Sequence, residues 1–139
     1  GSVKDYQPAD AISYDYVCTA NGILEKYIPG DFEFDSPKRL IDLIEARDFG
    51  QYADENGELI TCFLSTNDIT GGNSGSPIMN GKGELIGLAF DGNWEAMSGD
   101  IAFENEVQRT ICMDMRYLLF IIDKMANAQN LMQELKIVE

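Results

Sequence analysis

The residues Thr-Gly-Gly-Asn-Ser-Gly-Ser-Pro at positions 70–77 combine a hydroxyl nucleophile with a loop that can support it. Ser74 lies between glycines, which allow the backbone to turn tightly. A serine hydroxyl is a poor nucleophile at neutral pH until a positioned base removes its proton, and an imidazole usually has that role. The chain contains no histidine. We therefore expect the base for Ser74 to lie on protein outside this chain.

The order of residues around Ser74 is more specific than its composition. A pattern that requires the residue types of Gly72, Ser74, Gly75 and Pro77 at this spacing is expected by chance in roughly 2 of 1,000 chains of this length. The order predicts a loop in which the N–H groups of Gly72 and Ser74 converge to form an oxyanion hole. Gly75 removes the side chain next to the nucleophile, and Pro77 begins the next strand. A surface turn rich in glycine and serine is the alternative.

Length and charge restrict the class of protein. The chain has 139 residues, 45% of them hydrophobic, enough for one domain with a core. Residues 1–2 are typical of a tag-cleavage remnant, so we assign residues 3–139 to the domain. Ten basic and 24 acidic residues give a net charge of −14, which argues against nucleic acid and anionic membranes as partners. We attribute the charge to solubility. We see no stretch of membrane-spanning length and no signal peptide.

The cysteines indicate neither a disulfide framework nor a metal site. Cys18, Cys62 and Cys112 show no CxxC spacing, and no histidine accompanies them. Each lies in an apolar run, which predicts a buried thiol. We expect no metal and no cofactor.

Strand and turn signals dominate the elements that must position Ser74. They predict a hairpin from residues 14–19 and 23–27, a strand at 59–64 before the loop, and a hairpin from 76–79 and 84–90 directly after it. A serine and a proline at 36–37 begin a short helix, 37–47. Further strands are predicted at 100–103 and 109–114. Residues 116–125 are predicted to form a largely buried C-terminal helix, the start of which could instead be a strand, and a last helical turn is predicted at 131–135.

These elements predict a mainly β fold: one six-stranded antiparallel barrel of a chymotrypsin-like double barrel, with the helix 37–47 and a C-terminal helix. In that fold the histidine and aspartate usually lie on the first barrel and the serine on the second. We therefore expect a fragment of a larger protein that is inactive alone.

Three stretches extend the comparison to nearly the whole chain. "TGGNSGSPIMNGKGELIGLAFDGNWEAMSGDI", "QRTICMDMRYLLFIIDK" and "DFGQYADENGEL" resemble the C-terminal part of the bacterial dipeptidyl-peptidases of the seven and eleven type. These serine exopeptidases release dipeptides from peptide N-termini. The resemblance implies a double barrel with a helical domain over the cleft, a triad whose other members precede this segment, peptide substrates, a homodimer, and action in the periplasm or at the surface of a Gram-negative bacterium.

The resemblance also implies two residues that select the substrate. Asp91 matches a family aspartate that follows the strand after the nucleophile and binds the substrate's free α-amino group. Without the resemblance, Asp91-Gly92 reads as a hairpin turn. At the next position the family has arginine for acidic P1 side chains and glycine for hydrophobic ones. Gly92 therefore implies the seven type and a hydrophobic P1 residue.

Three neighbouring residues leave alternatives open. Asp68, six residues before Ser74, could select a basic P1 side chain, although it could instead bond loop N–H groups. Asn73 cannot form the ion pair with a new N-terminus that activates trypsin-like zymogens, so we expect no such activation. Trp94 could wall the pocket or pack at the barrel rim.

Two other functions compete with the dipeptidyl-peptidase. One is a glutamyl-endopeptidase-like protease, which shares the Gly-Asn-Ser-Gly-Ser-Pro loop. The other is a non-catalytic binding barrel, and the retention of the complete loop argues against it.

Overall fold

The computed structural model describes residues 1–98 and 103–138. Its contacts divide the chain into two units, residues 1–18 with 62–115 and residues 19–61 with 116–139. Ser74, Asp91 and the glycines predicted to act with them all lie in the first unit. No helix among the described residues is both long and apolar enough to span a membrane.

The regular structure of the first unit is mainly antiparallel β-sheet. A small hairpin consists of β1 (Tyr6–Ala9) and β2 (Ile12–Tyr14). A five-stranded sheet follows, with the spatial order β3-β4-β7-β6-β5. Its strands are β3 (Val17–Thr19), β4 (Ile60–Ser65), β5 (Pro77–Met79), β6 (Leu85–Gly92) and β7 (Thr110–Asp114). The prediction of a mainly β fold is confirmed.

Small residues on β6 allow the sheet to pack closely. Phe63 of β4 pairs with Cys112 of β7, which pairs with Ala89 of β6, and all three are buried. A Cβ atom on Gly87 would lie 2.7 Å from both the Phe63 ring and the Met113 carbonyl oxygen. A larger side chain at Gly87 would therefore separate the strands. This packing fixes β6, whose far end lies beside Ser74.

The second unit is helical around an aromatic core. Its helices are α1 (Asn21–Lys26), α2 (Lys38–Glu45), α3 (Met115–Phe120) and α4 (Gln129–Met132), with a π-helical turn at Ile121–Met125. Phe120 is fully buried, and its ring lies 6.1 Å from Phe49, 6.4 Å from Tyr52 and 6.3 Å from Tyr117. Edge-to-face and stacked rings of this kind add to the free energy of burial.

Several predicted elements are confirmed with small shifts. The helix at 37–47 is α2, and the strands at 59–64, 76–79 and 109–114 are β4, β5 and β7. The C-terminal helix is α3, which the π-helical turn continues to Met125. The final turn lies at Gln129–Met132, slightly before the predicted 131–135. The predicted strand 100–103 falls largely on residues outside the described ones.

The predicted hairpin of residues 14–19 and 23–27 is wrong. Residues 21–26 form α1, and the hairpin lies earlier, at β1 and β2. Ile23 and Leu24 of α1 pack against the core of the second unit, so tertiary contacts override the Asn-Gly turn signal. The turn of the observed hairpin contains Ala11 with a φ of +61°. Glycine usually occupies a position with positive φ, so this turn carries no glycine signal in the sequence. The buried thiol predicted at Cys18 is also wrong, because Cys18 is exposed.

Candidate active site

The loop around Ser74 consists of two consecutive turns. The Asn73 N–H donates to the Thr70 carbonyl oxygen at 3.1 Å, and the Ser76 N–H donates to the Asn73 carbonyl oxygen at 2.9 Å. The third residue of each turn is a glycine with positive φ, Gly72 at +99° and Gly75 at +86°. This backbone is that of a type II turn, which requires glycine at the third position. Ser74 is the second residue of the second turn, where its side chain is exposed.

Hydrogen bonds hold the flanks of this loop and leave its centre open. The Gly75 N–H donates to the Ala89 carbonyl oxygen at 2.7 Å, and the Ala89 N–H returns a bond to the Ser76 carbonyl oxygen at 2.9 Å. The Asn73 side chain closes the first turn by accepting the Thr70 N–H at 2.8 Å. Within the described part of the chain, the N–H groups of Gly71, Gly72 and Ser74 have no acceptor. The two donors predicted for the oxyanion hole belong to this set.

A β-bulge brings strand β6 to Ser74. Ala89 pairs with Cys112 and Asp91 with Ile111, so Phe90 is an extra residue without a partner in β7. The Ser74 Oγ donates a hydrogen bond to the Phe90 carbonyl oxygen at 3.3 Å. Bulges redirect backbone groups and are frequent beside active sites. No local signal in the sequence indicated this bulge, because it depends on the register with β7.

Asp91 and Gly92 lie within β6 rather than after the strand, which corrects the predicted strand end at residue 90. Asp91 is exposed, and its Oδ1 accepts the Gly92 N–H at 2.8 Å. Asp91 therefore follows directly on the residue whose carbonyl binds the Ser74 hydroxyl. A Cβ atom on Gly92 would lie 2.9 Å from the Ala96 Cβ, which leaves no room for a side chain at the present position of Ala96.

The other residues named from the sequence lie in the same unit. Asp68 is exposed, and it makes no hydrogen bond to any described residue. Trp94 is 82% exposed in the 3-10 turn Trp94–Ser98, so the packed rim position is not observed. Phe90 and Trp94 lie before and after Asp91 in the sequence, and both expose apolar side chains.

The arrangement supplies part of the chemistry of acyl transfer. It offers an exposed hydroxyl, N–H donors beside it, and a carboxylate on the residue that follows Phe90, whose carbonyl binds the hydroxyl. The Phe90 carbonyl accepts a hydrogen bond from the Ser74 hydroxyl but cannot act as a base, so removal of the Ser74 proton needs a group from elsewhere. These residues supply the nucleophile and its surroundings, but the reaction also needs a base that they do not provide.

Comparisons with known proteins identify the family of the chain. The family described as Peptidase S46 matches residues 1–137. The chain belongs to the peptidase S46 family. It is 57% identical over 139 residues to Dipeptidyl-peptidase 7 of Phocaeicola vulgatus, covering 100% of the chain and 19% of that protein. It is 53% identical over 138 residues to the Asp/Glu-specific dipeptidyl-peptidase of Flavobacterium psychrophilum, covering 99% of the chain and again 19% of the relative.

The fold of this peptidase S46 chain is that of a solved relative. The crystal structure of Porphyromonas endodontalis DPP11 in complex with the dipeptide Arg-Glu matches with a TM-score of 0.92 and 47% sequence identity. The match covers 95% of the chain and 19% of the DPP11 chain. The chain thus spans about a fifth of the length of the relatives it matches.

Proposed function

We propose that this chain is the nucleophile-bearing part of a serine dipeptidyl-peptidase that releases dipeptides from free peptide N-termini. Ser74 attacks the second peptide bond, and the N–H groups of Gly72 and Ser74 hold the oxyanion. Asp91 binds the substrate's α-ammonium group, which selects a free N-terminus. Membership of the peptidase S46 family carries this proposal. The missing base makes the chain inactive alone.

The local geometry supports these roles. The type II turns expose Ser74, and the bulge at Phe90 places the hydroxyl against the strand that carries Asp91. A carboxylate on the strand that contacts the nucleophile limits the substrate that fits between the two groups to a short N-terminal segment. An exopeptidase requires this limit and an endopeptidase must avoid it.

We further propose a hydrophobic P1 residue, on the evidence of Gly92 and its surroundings. Overall identity does not decide this point, because a relative named Dipeptidyl-peptidase 7 and one named Asp/Glu-specific dipeptidyl-peptidase are both 53% identical to the chain. Recognition of an acidic P1 side chain needs a nearby cation. Lys82 lies in the turn before β6, at the opposite end of that strand from Gly92. Arg109 is buried and donates to backbone carbonyls.

The first experiment tests the reaction in the complete gene product. The unmutated protein and Ser74→Ala are assayed on dipeptidyl substrates with a hydrophobic or an acidic second residue, and on the same peptides blocked at the N-terminus. We expect cleavage of unblocked hydrophobic substrates only, and its loss by a factor of about 10⁴ or more in Ser74→Ala. Full activity in the variant contradicts the proposal, and cleavage of blocked peptides favours the glutamyl-endopeptidase-like alternative.

The second experiment tests the role of Gly92 in P1 selection. Gly92→Arg places a guanidinium at the proposed P1 position but crowds Ala96, so we pair it with Ala96→Gly, which removes the contacting Cβ. The double variant is expected to gain cleavage after acidic residues and to lose it after hydrophobic ones, while Ala96→Gly alone keeps the original preference. An unchanged preference in the double variant argues against this assignment.

We also propose that the complete enzyme is a homodimer that acts in the periplasm or at the cell surface of a Gram-negative bacterium. The family resemblance supports both points. Light scattering of the complete protein and fractionation of the producing cells test them. A monomer or a cytoplasmic enzyme would contradict the respective point.

A further inference from the structure

Asn93 is a buried residue directly after Gly92, and all polar parts of its side chain have partners. Its Oδ1 accepts the Arg109 N–H at 2.8 Å. Its Nδ2 donates to the Val107 carbonyl oxygen at 2.7 Å and to Glu95 Oε2 at 2.9 Å. The residue is 7% exposed. A buried amide with both hydrogens and its oxygen engaged fixes the backbone around it.

The Asn93 side chain ends strand β6. Gly92 and Thr110 are the last register pair, and the Asn93 N–H continues the ladder by donating to the Arg109 carbonyl oxygen at 2.9 Å. The return bond from Arg109 goes to the Asn93 side chain rather than to its carbonyl. The Asn93 carbonyl is therefore free to accept the Ala96 N–H at 2.9 Å, which begins the 3-10 turn.

This turn determines the space at the proposed P1 position. Ala96 belongs to the turn, and its Cβ lies 2.9 Å from the point where a side chain on Gly92 would begin. Asn93 thus fixes two features together: the end of the strand that carries Asp91, and the residue that packs over Gly92.

Arg109 holds the other side of this junction. Its side chain is 1% exposed and its guanidinium lies 5.7 Å from the Tyr6 ring centroid. The guanidinium donates, at 2.7 to 3.3 Å, to the backbone carbonyls of Lys4, Asp5, Asn105, Glu106 and Gln108. A fork of five donors can satisfy carbonyls in several directions, which a lysine cannot do. The Arg109 backbone that binds Asn93 is therefore fixed.

We propose that Asn93, held by Arg109, is a positioning residue for substrate recognition. It keeps Asp91 and Gly92 where they meet the substrate's amino group and P1 side chain, and does not itself touch the substrate. This inference rests on the proposed function, since it assigns to Asn93 the placement of that function's recognition residues.

The test is Asn93→Asp in the complete gene product. The new carboxylate can still accept the Arg109 N–H, but it loses the donor to Val107 and faces the Glu95 carboxylate. We expect KM to rise by a factor of about 10 or more with a smaller change in kcat, because the recognition contacts act in both the ground state and the transition state. Adding Glu95→Gln supplies a donor and is expected to lower KM again.

The pH dependence separates positioning from general damage. The new carboxyl group faces the Val107 carbonyl, Glu95 and the Tyr6 hydroxyl, while the Arg109 guanidinium lies against the Tyr6 ring. When protonated, the group can donate to Val107 as the amide does. The ratio of kcat/KM between Asn93→Asp and the unmutated protein is therefore expected to rise as the pH falls from about 8 to about 5.

Asn80→Asp is the matched control. Asn80 lies in the turn before β6, where its Oδ1 accepts the N–H groups of Lys82 and Glu84 and its Nδ2 donates to Glu84 Oε2. The same substitution there creates the same conflict with a glutamate, at the other end of the strand, and is expected to leave KM unchanged. Equal KM values in the two variants, or no recovery at low pH, overturn the inference. An unmutated protein that cleaves no dipeptidyl substrate overturns the proposed function and this inference with it, so the two failures are distinguishable.

Discussion

At the scale of single residues, substitution of Gly72 tests the proposed oxyanion hole, and substitution of the neighbouring Gly71 provides a matched control. A Cβ atom added to Gly71 or to Gly72 would meet no other atom within 4 Å, but only Gly72 has a left-handed φ, of +99°. Alanine at Gly72 therefore costs about 1–3 kcal/mol of backbone strain. Relief of that strain rotates the N–H away, so we expect Gly72→Ala to lower kcat of the complete enzyme by about 10²- to 10³-fold.

Gly71→Ala is the control, and its kcat is expected to stay close to that of the unmutated enzyme. Thermal unfolding of both variants shows whether the strain is stored in the fold or relieved by the loop. Equal kcat values in the two variants would remove the Gly72 N–H from the proposed oxyanion hole.

The same residues show what the sequence could predict about the site. Ser74, Gly72 and Gly75 belong to one short segment whose turn geometry follows from local glycine chemistry, and the segment forms the turns that the glycines require. The bulge at Phe90 and the junction at Asn93 depend on pairing with β7, about twenty residues further along the chain. Local patterns carry no information about that register.

At the scale of elements, Asp123 connects the π-helical turn to the rest of the second unit. Its Oδ2 accepts the Tyr52 hydroxyl at 2.9 Å and its Oδ1 accepts Gln129 Nε2 at 2.7 Å. These bonds, first that from Gln129 and then that from Tyr52, lower the pKa of the Asp123 carboxyl group. A lowered pKa stabilises the fold above the unfolded-state pKa of about 3.9, and this stabilisation is lost as the pH falls through the folded-state pKa.

Asp123→Asn leaves a single acceptor oxygen for two donors. We expect it to lower the free energy of unfolding by about 1 kcal/mol at neutral pH, since hydrogen bonds to a charged, partly exposed group are of this size. The difference from the unmutated chain should shrink below about pH 4. Urea unfolding over a pH series measures it, with Tyr52→Phe as a second background in which the effect of Asp123→Asn is smaller. A difference that does not change with pH would contradict the assignment.

The elements also divide into those that sequence patterns could predict and those that they could not. The amphipathic spacing of Leu40, Ile41 and Ile44 predicted α2, and all three residues are buried. For α1, the Asn-Gly pair at its start is a strong hairpin signal, and only packing against the second unit's core makes the segment helical. Short elements are decided by contacts distant in sequence, which explains why this one was predicted wrongly.

At the scale of the whole molecule, the net charge of −14 sets how stability depends on salt. Ion pairs among the described residues include those of Lys38 with Asp42, Arg47 with Glu58 and Lys124 with Asp48, and each of these has at least one partner that is about half exposed or more. Such pairs contribute about 0–1 kcal/mol each, and salt weakens them. Repulsion among the 24 acidic residues acts in the opposite sense, because salt screens it and so stabilises the compact state.

We expect repulsion to outweigh the ion pairs, since acidic residues outnumber basic ones by 24 to 10. Raising the NaCl concentration from about 0.01 M to about 0.15 M shortens the Debye length from about 30 Å to about 8 Å, less than the span of the molecule. The midpoint of thermal unfolding should therefore rise over this range. Lys38→Gln, which removes one ion pair and one positive charge, should make the rise steeper. A midpoint that falls with salt would show that the ion pairs dominate and that the acidic surface carries no net repulsive cost.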